Sequence, residues 1–406
     1  MVNTIFGIYS VIFVALLIGA GFIAKKWVSD TDDFIIAGRE ISTPINTLGV
    51  VAIGFAGTSI TLAPGFSVLY GVKGGIVWGV IYSIAGLMVY ANLFSSFIRR
   101  SGAQTLPEYF ETRYNGKVRG LIAVTSVIGM CGILANNVVS LSSIVSGYTG
   151  WSVALITGAA FLVILIFATM SGMWATTITD FIQVTIGTIA VPVFLGILVN
   201  KYGGFEFFES WIGGDWVSSG LAGASMPMMT LKYPSALTFV ILFGTALVWG
   251  NNYYWIKMAS CRNESVAKKS YNFGSIYLIV VFMIPLSFIG IYAGTVMPET
   301  FTLAGGTVPH TAAYGVIAKV IPPAPGSLFI VGASAAALST ASTSAMGATS
   351  TATRDIYKRI INKDASPATT LKASKVSMAL VLIITWIMTF FPGGPTYLFA
   401  FANAWL

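Results

Sequence analysis

The sequence predicts an all-α integral membrane protein, and three observations predict it. Of 406 residues, 56% are hydrophobic and only 9% are charged, against about 25% charged in soluble domains. Mean hydropathy is +0.83. The apolar runs have the length of spanning helices, not the short alternating pattern of barrel strands. Glycine is abundant at 43 residues, which fits close packing and interrupted helices in a bilayer.

The elements follow in order. The first apolar run, 5–25, is long enough to span and leads into Lys25 and Lys26 without a cleavage site, so it reads as a retained helix. Further spans fall at 43–70, 75–98, 119–147, 151–170, 178–200, 236–258, 272–296, 326–353 and 373–391, and a last apolar segment covers 393–406. Two spans look broken. The second reads VVAIGFAGTSITLAPGFSVLYG, where Gly54, Gly57, Pro64 and Gly65 oppose continuous helix, because proline removes a donor and glycine loosens the ladder. The seventh reads FVILFGTALVWGNNYYWIKMA, with Gly244, Gly250, Asn251 and Asn252 at mid-span. One interruption is ordinary packing. Two interruptions five helices apart point to an inverted-repeat transporter with a binding site at the midplane.

The charge of +8 is a topology signal. Eighteen of the 22 Lys and Arg residues follow odd-numbered spans, among them Lys257 after span seven, and only Lys73, Lys201, Lys232 and Lys319 follow even-numbered ones. The positive-inside rule puts the N-terminus outside a cell (inner or plasma) membrane and makes a nucleic-acid partner unnecessary. Cys131 and Cys261 stand alone, and His310 is the only histidine. A metal cluster or a histidine-based triad is therefore excluded, and no enzyme is expected.

The stretch LSTASTSAMGATSTATRDIYKR, 338–359, puts nine hydroxyls into one apolar helix. In hydrocarbon each needs a partner. A carbonyl one turn back or a neighbouring helix serves several of them. Ser339, Ser342 and Thr343 share a face, and Thr340, Thr343 and Ser344 make an overlapping one. A hard monovalent cation wants about five or six oxygens, which clustered hydroxyls and carbonyls of a broken helix supply. Asp180, in SGMWATTITDFIQ, is the acid best placed within the membrane. On spacing alone it is equally an ion ligand or a cap at a helix start. Glu108, Glu111, Glu264, Asp355 and Asp364 read as solvated partners in basic loops.

These blocks resemble the sodium:solute symporter family. DFIIAGREI, TLPEYFETRY, SGMWATTITDFIQ, CRNESVAKKS and the hydroxyl helix occur in family order from residue 33 to residue 359. The resemblance implies two inverted five-helix repeats, 43–200 and 236–406, behind one extra N-terminal helix. The second repeat is expected to stop within its last helix. It also implies import of a small organic solute by alternating access, with sodium as coupling ion and no other cofactor. Carried over by position, the main sodium site uses the carbonyls of Ala52, Phe55 and Ala336 and the hydroxyls of Ser339 and Thr340. A second sodium site uses Asp180, Ser339, Ser342 and Thr343, which favours the ligand role for Asp180.

The solute is expected beside the break in the second span, at Gly54, Ala56, Gly57, Thr58 and Ser59. Asn136, Asn137, Trp249, Asn251, Asn252 and Tyr253 are candidate walls, each equally suited to helix packing. No Arg or Lys stands in the middle of span four to clamp an acidic sugar. Gly54 stands where proline-type members carry an acid, and Tyr253 and Met258 replace the family's Gln and Arg. A neutral or zwitterionic solute such as an amino acid or a sugar, or a small monocarboxylate, is expected. The rival readings are a proton-coupled or uncoupled transporter of the same fold and a transporter-like membrane sensor.

Overall fold

The computed structural model describes residues 2–24 and 37–406 and, within these, the side chains outside 20, 21, 24, 37, 167–176 and 213. Lys25, Lys26 and the start of DFIIAGREI lie outside the described residues. The described chain is helical, with two isolated β-bridge pairs, Ile41 with Cys261 and Phe301 with Val308. We number the helices α1 Val2–Ala24, α2 Thr43–Gly54, α3 Gly57–Ser101, α4 Leu106–Arg113, α5 Gly116–Thr149 and α6 Val153–Tyr202. Then come α7 Ala236–Trp249, α8 Asn252–Ala259, α9 Glu264–Val296, α10 Pro323–Ile361, α11 Pro367–Met388 and α12 Gly394–Asn403.

Both expected breaks are present. Phe55 (φ −83°, ψ 69°) and Ala56, in extended conformation, separate α2 from α3. Gly250 and Asn251 separate α7 from α8, whose axes differ by 48°. Polar side chains start the new helices. Asn251 accepts from the Tyr253 N–H, Asn115 caps α5, Asn263 caps α9 and Ser366 caps α11, each satisfying an amide that has no carbonyl one turn back.

The expected boundary between the second and third spans is a kink inside α3. Gly71 takes φ +73°, and a Cβ there would lie 2.6 Å from the Ser219 carbonyl oxygen and 2.7 Å from that of Trp216. Only glycine meets both demands. The fifth and sixth expected spans are carried by one 50-residue helix, α6, whose apolar parts are Val153–Ile166 and Thr177–Tyr202.

The hydroxyl helix α10 sits at the centre. Of its apolar window 94% is buried, against 17% for α1 and 28% for α11. Small residues permit this. A Cβ on Gly57 would come within 2.6 Å of the Ala337 Cβ, and one on Gly290 within 2.4 Å of the Pro64 carbonyl oxygen. Backbones thus approach each other directly, as interfaces within a bilayer favour.

Candidate functional site

The site is assembled where the two breaks meet α10. At the end of α2 the chain runs out of helix while carbonyls still point forward. Thr340 on α10 donates its hydroxyl toward one of these opened oxygens, that of Ala52 at 3.4 Å, and toward the Ala336 carbonyl one turn back on its own helix at 3.2 Å. The Ser59 hydroxyl turns back across the break to the Gly54 carbonyl. Phe55 is buried, stacks on Phe282 at 4.0 Å between centroids, and lies against Gly187, where a Cβ would be 2.2 Å from the ring. Ala52, Ala336 and Thr340 are therefore brought together at the opened helix end, while the Phe55 ring packs away from them against Phe282 and Gly187.

Ser339 faces the other way. It donates to Asp180 Oδ1 at 2.5 Å, and its carbonyl accepts from the Ser342 hydroxyl at 2.8 Å. A hydroxyl donates one proton and keeps two lone pairs, so Ser339 can serve Asp180 and still offer oxygen to a cation. Oxygen donors of this kind are the hard ligands that suit a cation such as sodium. Thr343 is buried on the same helix.

Asp180 has a partner that the loop-by-loop charge reading misplaced. Lys257 is not a cytoplasmic loop residue. It lies in α8, 1% exposed, with its ammonium 3.0 Å from Asp180 Oδ2. The signal in the sequence was its position inside the apolar run NNYYWIKMA. A second correction concerns Asp355, which is fully buried rather than solvated. It accepts from Arg119 at 2.6 Å and from Thr105 at 3.1 Å. Glu111 joins Arg119 and Arg359, and an exposed pair joins Arg100 to Glu264.

Beside the first break lies a narrow cavity lined by Ala56, Thr58, Ser59, Asn137, Tyr253 and Thr340 together with Trp78, Tyr82, Tyr254, Leu247, Ile53, Ile133 and Phe399. Five aromatic rings, Trp78, Tyr82, Tyr253, Tyr254 and Phe399, form part of its wall, with the Tyr82 and Tyr254 hydroxyls joined at 2.7 Å. Three polar atoms on this wall are buried and have no partner among the described residues: Asn137 Oδ1, Tyr253 Oη and Trp78 Nε1.

The other expected wall residues stand apart from it. Asn136 accepts from the Thr58 hydroxyl and donates to the Pro395 carbonyl. Trp249 donates to the Ala85 carbonyl at 3.2 Å. Asn251 caps α8. Asn252 accepts from the Leu106 N–H and donates to the Thr351 hydroxyl, both at 2.7 Å. Gly54 and Gly57 flank the break, where Leu278 and Ala337 fill the space a side chain would need.

Comparison with known proteins agrees with this architecture. The chain is 24% identical over 430 residues to a sodium/glucose cotransporter of Vibrio parahaemolyticus, covering 94% of this chain and 74% of that one. It is 26% identical over 207 residues to a sodium/proline symporter of Escherichia coli (strain K12), covering 48% and 40%. A solved structure of a Na+-coupled sialic acid symporter superposes with a TM-score of 0.78 at 17% identity, over 95% of this chain and 80% of the other. That likeness carries the expected all-helical inverted-repeat fold. The model of the sodium:solute symporter family matches residues 34–403, most of the length, and the chain belongs to that family.

Proposed function

We propose that the chain is a sodium-coupled secondary transporter that imports a small uncharged or zwitterionic organic solute by alternating access. It acts from a cell membrane with its N-terminus outside. The observation that carries this reading is the meeting of the Thr340 hydroxyl with the Ala52 and Ala336 carbonyls at the opened end of α2. Sodium would be held there by Ala52, Phe55, Ala336, Ser339 and Thr340. It would supply a fixed positive charge joining the first broken helix to α10, so that solute binding and ion binding favour the same arrangement.

The cavity supports the solute class. Its lining has no charged side chain, so a solute with net charge would be buried without a partner. Asn137 Oδ1 offers an acceptor, and Tyr253 and Trp78 offer donors. The first amides of α3 at Gly57, Thr58 and Ser59 add the positive end of a helix for a carboxylate or hydroxyl. The repeats are read as 43–200 and 236–406 behind the extra helix 5–25.

The test is the thermal stability of the purified chain in sodium, potassium or choline, beside Ser339→Ala/Thr340→Ala. A ligand that binds the folded state raises its stability by mass action. Sodium should stabilise the wild type alone. Equal stability of the wild type in all three salts, even at high concentration, removes the sodium reading.

A further inference from the structure

We propose that Lys257 is a built-in cation that takes the place of a second sodium ion, so that this chain binds one sodium where its residue pattern offers two. The inference rests on the sodium-coupled reading above. Asp180, Ser339, Ser342 and Thr343 supply the oxygens for a second ion, but Asp180 is already neutralised. Its Oδ2 receives the Lys257 ammonium at 3.0 Å and its Oδ1 receives the Ser339 hydroxyl at 2.5 Å. Lys257 and Asp180 side chains are 1% and 2% exposed.

Two monovalent cations beside one carboxylate would leave a net positive charge buried at low dielectric, which is costly at membrane depth. Among the described residues Asp180 is the one acid within ion-pair distance of Lys257, so no second negative group stands beside the pair to balance it.

The backbone makes room for the lysine. Gly49 on α2 faces its stem, and a Cβ there would lie 2.5 Å from Lys257 Cε and 2.6 Å from Nζ. Four helices thus converge on the pair: α2 leaves the slot, α8 brings the ammonium, α6 the carboxylate and α10 the hydroxyl. The slot, the ion pair and the hydroxyl are independent features with one result, a cation fixed at the place where a mobile one would bind.

A second, smaller cavity lies alongside, lined by Thr179, Gln183, Ser339 and Ser342 with Leu17, Leu338, Val163 and Ile164. Both polar atoms of the Gln183 amide are buried and have no hydrogen-bond partner among the described residues. With Lys257 in place this cavity offers only neutral oxygens. With Lys257 removed, the freed Asp180 carboxylate beside the same oxygens makes a complete ligand set for a hard cation.

The experiment counts bound sodium on the purified full-length chain by equilibrium binding of radioactive sodium, with no solute needed. The expected result is one sodium per wild-type chain, two in Lys257→Gln, and one again in Lys257→Gln/Asp180→Asn. The Hill coefficient for sodium-induced thermal stabilisation should rise from about 1 to about 2 in the single variant. Two sodium ions on the wild type overturn the proposal while leaving sodium coupling intact, and this count needs no variant to fold. One sodium on a folded Lys257→Gln also overturns it. A wild type that binds no sodium overturns the proposed function and this inference with it.

Discussion

Thr340 Oγ1 lies 3.4 Å from the carbonyl oxygen of Ala52, although 288 residues separate them in the chain. One hydroxyl therefore ties the opened end of α2 to the middle of α10. Thr340→Val keeps the shape and deletes the oxygen. Its hydroxyl also bonds one turn back to Ala336 at 3.2 Å, and losing such a bond costs about 1 kcal/mol of stability. Sodium affinity should fall at least about tenfold, equivalent to about 1.4 kcal/mol. A sodium titration of the melting temperature measures it. An unchanged midpoint would show that Thr340 only packs.

The two neighbouring pairs of asparagines divide between cavity and scaffold. Asn137 presents an unpartnered, buried oxygen to the cavity, while Asn252 bridges Leu106 and Thr351. Asn252→Ala strands a buried amide, which costs about 1–3 kcal/mol, and should lower the melting temperature in every salt. Asn137→Ala should melt nearly like the wild type and lose the stabilisation given by whichever solute stabilises the wild type in sodium. A thermal-shift screen run on both variants reads the split directly. The opposite pattern would move the solute away from the cavity.

Arg119 and Asp355 form the tightest charge network outside the membrane core of the site. Asp355 is fully buried and Arg119 has 10% of its side chain exposed. Removing one partner leaves an uncompensated buried charge, at about 3–5 kcal/mol, whereas replacing both by apolar groups is often nearly neutral. Arg119→Ala should therefore destabilise the protein more than Arg119→Met/Asp355→Leu does. Melting temperatures of the two variants decide it. A double variant that melts lower than the single would mean that the network contributes through its charges and not merely tolerates them.

How far the sequence carries is visible in these same residues. The breaks at Phe55–Ala56 and Gly250–Asn251 were legible because glycine, proline and asparagine inside an apolar run leave few other readings. The face shared by Ser339, Ser342 and Thr343 was legible because helical spacing is local. Lys257 was not, since counting charges by loop assigns every lysine near a span end to water. Its slot at Gly49 and its partner Asp180 come from two other helices. Asp355 failed for the same reason: its partner Arg119 is 236 residues away, and burial of a charge depends on what packs over it.

His310 supplies a pH dependence. It sits in the connection between α9 and α10, with its Cδ2 3.2 Å from where a Cβ on Gly65 would stand. Its Nε2 is buried without a partner among the described residues. Burial disfavours the charged ring and pushes its pKa down to about 4 from an ordinary 6.5. The folded state thus holds a neutral ring where the unfolded chain would take up a proton. The resulting stability is fully present above pH 6.5 and is lost as pH falls toward 4, by up to roughly 3 kcal/mol. His310→Phe removes the titrating group and should flatten the fall in melting temperature between pH 7 and pH 4.5. Parallel profiles for the two proteins would show that other groups control the acid limb.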